Sequence, residues 1–169
     1  MRYTILTIIL MAVSISFSQE AKTDVTTYYF IRHGEKDMVG PSDKNPHLSH
    51  EGLARAKSWS SILKDIAFDA IYSTDYHRTR ETATPISNTT KIPITLYDVA
   101  EVLNHIDGFK NATKGKTVLI VGHSNTNHDF VNAIINQNKY PEIDESNYGT
   151  LFIITIIGEN ITDQLLTIN

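Results

Sequence analysis

Four short runs rich in β-branched and aromatic residues alternate with helix-like stretches, and this alternation restricts the fold more than any other feature. The runs are Thr27–Arg32, Phe68–Ser73, Ile92–Tyr97 and Lys116–Val121. Tyr28–Ile31 has no polar residue breaking it, as expected for a strand covered on both faces. Strands that alternate with helices are joined by crossovers, which make neighbouring strands parallel. The expected architecture is an α/β three-layer sandwich, a mainly parallel sheet with helices on both faces. The first helix is expected to start at Ser49 as N-cap, with Glu51 in its first turn, and to run to about Lys64. Its inward face reads as Leu53, Ala56, Trp59, Ser60 and Leu63. Further helices are expected over Tyr76–Ser87, Val99–Asn111 and Asn125–Asn138, the third weakened by Asn104, Gly108 and Asn111. Lys36–His47 carries Gly40, Pro41 and Pro46 and reads as a loop. Tyr148–Ile157 and Ile161–Ile168, joined by Gly158-Glu159-Asn160, read as a terminal hairpin.

A chain of 169 residues suits one domain with a proper core. At 41% hydrophobic and 20% charged it is a globular composition. A formal charge of −4 offers no general attraction to nucleic acid, so any basic character must be local to a pocket. The absence of cysteine removes disulfides, thiolate metal sites and cysteine nucleophiles together. Residues 1–18 form a separate unit. Arg2 supplies a positive start, Ile5–Val13 an apolar stretch, and Ser16-Phe17-Ser18 a small-x-small cleavage pattern before Gln19, the layout of a secretory signal peptide. The apolar part is short of the ~20 residues that span a bilayer. Export, periplasmic or secreted, is therefore expected, without stable membrane association after cleavage. Residues 19–169 would form the single domain.

Chemistry collects at the ends of the apolar runs. Arg32-His33-Gly34-Glu35 follows the first run, and Gly122-His123-Ser124-Asn125 follows the fourth. In an open parallel sheet, ligands gather at the carboxyl ends of the strands, so adjacent placement of these two strands would bring His33 and His123 into one crevice. An arginine beside the first histidine points to an anion, most economically a phosphoryl group with histidine as nucleophile. Ser73-Thr74-Asp75-Tyr76-His77-Arg78-Thr79-Arg80-Glu81-Thr82-Ala83 follows the second run and adds Arg78.

These blocks together resemble the histidine phosphatase superfamily, which includes phosphoglycerate mutases. The resemblance rests on Arg-His-Gly-Glu, on Ser-x-x-x-x-Arg-x-x-x-Thr-Ala, on the later Gly-His-Ser, and on Leu48-Ser49-x-x-Gly52-x-x-x-Ala56 at a helix start. It runs from about residue 27 to 157 and implies a phosphoglycerate mutase-like fold. His33 would attack phosphorus as a neutral imidazole, its other ring nitrogen held as an N–H donor. Arg32 and Arg78 would clamp the phosphoryl oxygens, with a further hydrogen bond from His123. Ser124 and Asn125, where the following helix starts, would add phosphate contacts and a favourable dipole. Family members commonly place the general acid just after the third strand, where Asp98 and Glu101 fall, Asp98 being nearer the strand end. Glu35 is expected to support the pocket.

The expected activity is that of an exported, metal-independent phosphatase acting on phosphomonoesters through a phosphohistidine on His33. Its partner would be a phosphorylated small molecule or a phosphoprotein, with no cofactor. Alternatives are a phosphohistidine protein phosphatase and a non-catalytic module that binds phosphoryl ligands. Two departures from the family bear on substrate. Lys36-Asp37-Met38-Val39-Gly40-Pro41 lacks the phosphate-contacting asparagine of many members, and the 37 residues Thr79–Gly115 leave little room for a lid. An open pocket is therefore expected. His47 and His50 have metal-like spacing, but the neighbouring sequence supplies no further ligand, so no metal site is assigned. Arg80 is expected to be solvated or ion-paired, and His77 to lie on the surface.

Overall fold

The computed structural model describes residues 24–37, 40 and 43–168. The signal peptide expected over residues 1–18 lies outside the described residues. Six strands form one sheet: β1 (Val25–Arg32), β2 (Ala70–Thr74), β3 (Ile94–Tyr97), β4 (Thr117–Gly122), β5 (Thr150–Ile157) and β6 (Asn160–Thr167), in the order β3-β2-β4-β1-β5-β6. The first four are mutually parallel, while β5 pairs antiparallel with both β1 and β6. The mainly parallel sheet and the terminal hairpin expected from the sequence are both present. β3 starts two residues later than the apolar run, directly after Pro93, which has no N–H to donate to a ladder.

Period-two alternation in β1 sends Tyr28 and Phe30 to one face and Ile31 to the other. The first face packs Val118 and Ile120 of β4 against Phe130, Val131 and Ile134 of α5 (Ser124–Ile135). Val102 of α3 (Val99–Asn104) and Phe109 of α4 (Ile106–Ala112) close the same side. The opposite face buries Leu119 and Val121 against Trp59 of α1 (His50–Ile62) and Ala83 and Ile86 of α2 (His77–Thr90). Helices therefore cover both faces, giving the three-layer sandwich. None of the described helices is long and apolar enough to cross a membrane.

Three local expectations are corrected. Ser49 caps α1 by accepting the Gly52 N–H, but the buried face is Gly52, Ala56 and Trp59, while Leu53 is 47% exposed. Gly52 is inside because its backbone packs on Glu35, where a side chain would collide. The single helix expected over Val99–Asn111 is two short ones, broken at His105 (φ −129°, ψ 39°). α5 stops at Ile135 because Asn136 adopts the left-handed conformation (φ 52°), which asparagine tolerates better than most residues.

Candidate active site

β1 and β4 lie side by side in register, Arg32 opposite Gly122, so the residues that follow them emerge together. The His33 N–H donates to the Gly122 carbonyl (3.0 Å), extending the ladder one residue beyond β1. The imidazoles of His33 and His123 meet edge to face with ring centroids 5.3 Å apart. Gly122 lies so close to the Asn127 side chain that no Cβ fits, and Asn127 donates to the Ile31 carbonyl (3.0 Å), tying α5 to the end of β1. Gly34 and Gly52 touch backbone to backbone, a Cβ on Gly34 meeting the Gly52 carbonyl at 2.7 Å. The Arg-His-Gly-Glu turn and the Leu-Ser-x-x-Gly helix start are thus two halves of one contact. The Ser49 N–H donating to the Glu35 carbonyl (2.9 Å) closes it.

His33 Nδ1 lies 2.7 Å from the Gly34 carbonyl. A carbonyl only accepts, so Nδ1 carries the proton and Nε2 keeps its lone pair. Burial dominates in holding this imidazole down at about 3, and His123, Arg78 and Arg32 depress it further against the opposing Gly34 hydrogen bond. His33 is therefore neutral near pH 7. His123 Nε2 lies 2.9 Å from Thr74 Oγ1. The Thr74 hydroxyl donates to Thr79 (3.1 Å), so it accepts from His123, whose Nδ1 is then left as an acceptor facing Arg78 Nη2 at 3.5 Å. His123 is held down at about 4, again first by burial and then by Arg78 and Arg32.

The two arginines differ sharply. Arg32 is 1% exposed. Its Nη1 donates to the carbonyls of Asp144 (3.2 Å), Glu145 (2.8 Å) and Asn147 (3.1 Å), and its Nη2 pairs with Glu145 Oε2 (2.9 Å). Tyr148 stacks on the guanidinium, 4.1 Å from ring centroid to Cζ. Its Nε has no partner among the described residues. Arg32 thus fastens the segment before β5, a task added to the clamp on phosphoryl oxygens expected of it. Arg78, at the start of α2 and over the Tyr76 ring at 4.4 Å, has buried Nε and Nη1 atoms with no hydrogen-bond partner among the described residues. A guanidinium beside two neutral imidazoles, with donors unspent, is an anion-seeking group.

A cavity of about 770 Å³ opens over this corner, walled by Arg78, His123, Tyr76, Asp98, Glu101 and Asn125 among others. Both expected acids therefore reach the cavity of His123 and Arg78. Asp98 is also the N-cap of α3, accepting the Glu101 N–H at 2.9 Å. The Ser124 hydroxyl donates to Glu145, and Asn125 is exposed on the cavity wall. Glu35 pairs with Arg55, whose Nε donates to Oε1 at 2.8 Å. Glu145, Tyr148, Thr74, Tyr76 and Asn127 were not picked out from the sequence. Thr74 lies within the Ser73–Ala83 block, but Glu145 sits in a polar stretch with no pattern that separates it from surface.

A family model described as the histidine phosphatase superfamily (branch 1) matches residues 28–99. No curated protein sequence matches significantly. Among solved structures, Bacillus stearothermophilus YhfR is similar at 19% identity and TM-score 0.67, over 81% of this chain and 94% of that one. The phosphoserine phosphatase of Entamoeba histolytica, solved with 3-phosphoglyceric acid, shares 18% identity and a TM-score of 0.63, over 85% and 96%. The protein histidine phosphatase SixA, solved with tungstate, is similar at 14% identity and TM-score 0.61, over 83% and 96%. At these identities the structures establish a common fold.

Proposed function

We propose, from the match of residues 28–99 to the histidine phosphatase superfamily model, that this chain is a member of that superfamily and a phosphatase working through a phosphohistidine on His33. One observation carries the reading: a neutral His33 with Nε2 unspent shares a corner with Arg78, a half-buried cation whose Nε and Nη1 have no partner among the described residues. The His33 Nε2 lone pair attacks phosphorus in line, and the P–O bond to the leaving group breaks. The departing alkoxide takes a proton from Asp98 or Glu101. Water, deprotonated by the same carboxylate, then attacks the phosphohistidine and releases inorganic phosphate, returning His33 to its starting form. Arg78 neutralises the equatorial oxygens. His123 must gain a proton on Nδ1 to donate to them, a change that the incoming dianion favours. The chemistry as proposed calls on no metal. Export is part of the same proposal, resting on the layout of residues 1–18.

The test is hydrolysis of an aryl phosphate in the presence of chelator, wild type beside His33→Ala. Turnover that persists in chelator and is lost in the variant supports the reading. Absence of turnover by wild type with tight phosphate binding would instead indicate a binding module. A second reading, removal of phosphate from a phosphohistidine on a protein, is favoured by the helix-cap commitment of Asp98. A nitrogen leaving group makes less demand on an acid. Unchanged phosphomonoester turnover in both Asp98→Asn and Glu101→Gln would select it.

A further inference from the structure

Three potential metal ligands converge on the outer face of α2, away from the histidine pair. His77 and Glu81 are four residues apart on this helix and so project from the same side. His47 reaches them from the segment before α1, its ring stacked on that of His77 with centroids 4.1 Å apart and 15° between planes. One donor atom from each of the three lies within 4.8 Å of the other two. Bonds of about 2.0–2.1 Å in a tetrahedral site put ligands roughly 3.3 Å apart. Small rotations of side chains that are exposed or half-buried would therefore close the set.

We propose that His47, His77 and Glu81 bind a divalent transition-metal ion of the zinc type. Two imidazoles and one carboxylate suit Zn²⁺ and its neighbours, whereas Mg²⁺ and Ca²⁺ prefer all-oxygen sites. Glu81 Oε1 takes a hydrogen bond from His47 Nδ1, itself a proposed ligand, and Oε2 is held from behind by the Leu48 N–H at 2.8 Å. That backing is the outer-shell support typical of metal ligands. The ion would take the place of the proton shared between His47 and Glu81. Arg80 opposes it, donating to His77 Nδ1 at 3.2 Å. A neutral metal-bound imidazole carries its proton on the nitrogen it does not coordinate with, so coordination through either nitrogen ends this hydrogen bond. Arg80 keeps its ion pair with Asp75. The segment around His47 is further tied to α2 by the His77 N–H donating to Asn45 Oδ1 (2.9 Å). A bound cation would strengthen this seam one residue from Arg78. In the linear chain His47 has metal-like spacing with His50 alone; in the fold, it finds its companions about 30 residues further along.

Calorimetric titration of the metal-stripped protein with Zn²⁺ tests the site, beside His47→Gln, His77→Gln, Glu81→Gln, Arg80→Ala and His33→Gln. The expected result is one Zn²⁺ per chain with a raised thermal midpoint. The first three substitutions each weaken binding by roughly tenfold or more. Arg80→Ala tightens it, because the competing donor and the adjacent positive charge are gone, and His33→Gln leaves it unchanged. Circular dichroism establishes that each variant is folded. No binding by wild type, binding indifferent to His47→Gln and His77→Gln, or binding lost with His33→Gln would each overturn the proposal. The outcome is independent of turnover, so it can fail while the phosphatase reading stands.

Discussion

His33 and His123 are kept neutral by the same burial that places them together, and this has consequences for both stability and rate. Their folded values, about 3 and about 4, lie below the ordinary histidine value near 6.5. Between those limits the unfolded chain takes up protons that the folded chain does not, so stability is lost as pH falls through this window. Each histidine contributes a slope of at most about 1.4 kcal/mol per pH unit. Urea unfolding at pH 7 and pH 5 should show a smaller acid loss in His33→Gln than in wild type, and equal losses would refute the depressed value. The acid limb of kcat/KM should likewise show no break near pH 6.5 from the nucleophile. Arg78 gives a complementary test, since its buried Nε and Nη1 have no partner among the described residues. Arg78→Gln should leave the thermal midpoint unchanged or higher while kcat/KM falls by about 10²–10³, the magnitude typical of losing a transition-state donor. A variant that unfolds with its activity would reassign Arg78 to structure.

The turn after β1 and the start of α1 are held by glycine rather than by side chains, so substitutions there act on the register between two segments. A Cβ on Gly52 would collide with the Glu35 backbone, and neither backbone can move without shifting His33. Gly52→Ala should cost roughly 1–3 kcal/mol by denaturant unfolding and lower turnover as well. Gly108, within α4, has open space where its Cβ would be. Gly108→Ala should gain about 0.5–1 kcal/mol with turnover unchanged, so the pair separates close packing from helix propensity. The strands and their order along the chain were readable from apolar runs because burial on both faces imposes an unmistakable composition. Helix ends were less so. The break at His105 and the stop at Asn136 are single backbone conformations that no periodicity announces.

The segment between α5 and β5 shows how distant parts complete the site. Glu145, 63% exposed in its side chain, bridges Arg32 at the end of β1 and Ser124 at the start of α5. Glu145→Ala should destabilise by about 1 kcal/mol, discounted for solvent because the carboxylate is exposed, since the Arg32 carbonyl contacts remain. A larger loss in chemical denaturation would mean that those carbonyls depend on the ion pair. The alternation of strands and helices, the Ser49 cap, and the histidines and arginines at strand ends were all legible in the linear chain, because local propensity and burial act on neighbours. From them followed the sandwich, the side-by-side histidines and the phosphoryl chemistry proposed for them. The division of labour between Arg32 and Arg78 was not legible. Both are arginines near a strand end, and only the packing of residues 144–148 against Arg32 occupies both of its Nη atoms, while Arg78 keeps Nε and Nη1 without partners among the described residues. The meeting of His47 with His77 and Glu81 was hidden for the same reason: contacts closed across 30 or more residues depend on how layers stack, which sequence spacing does not encode.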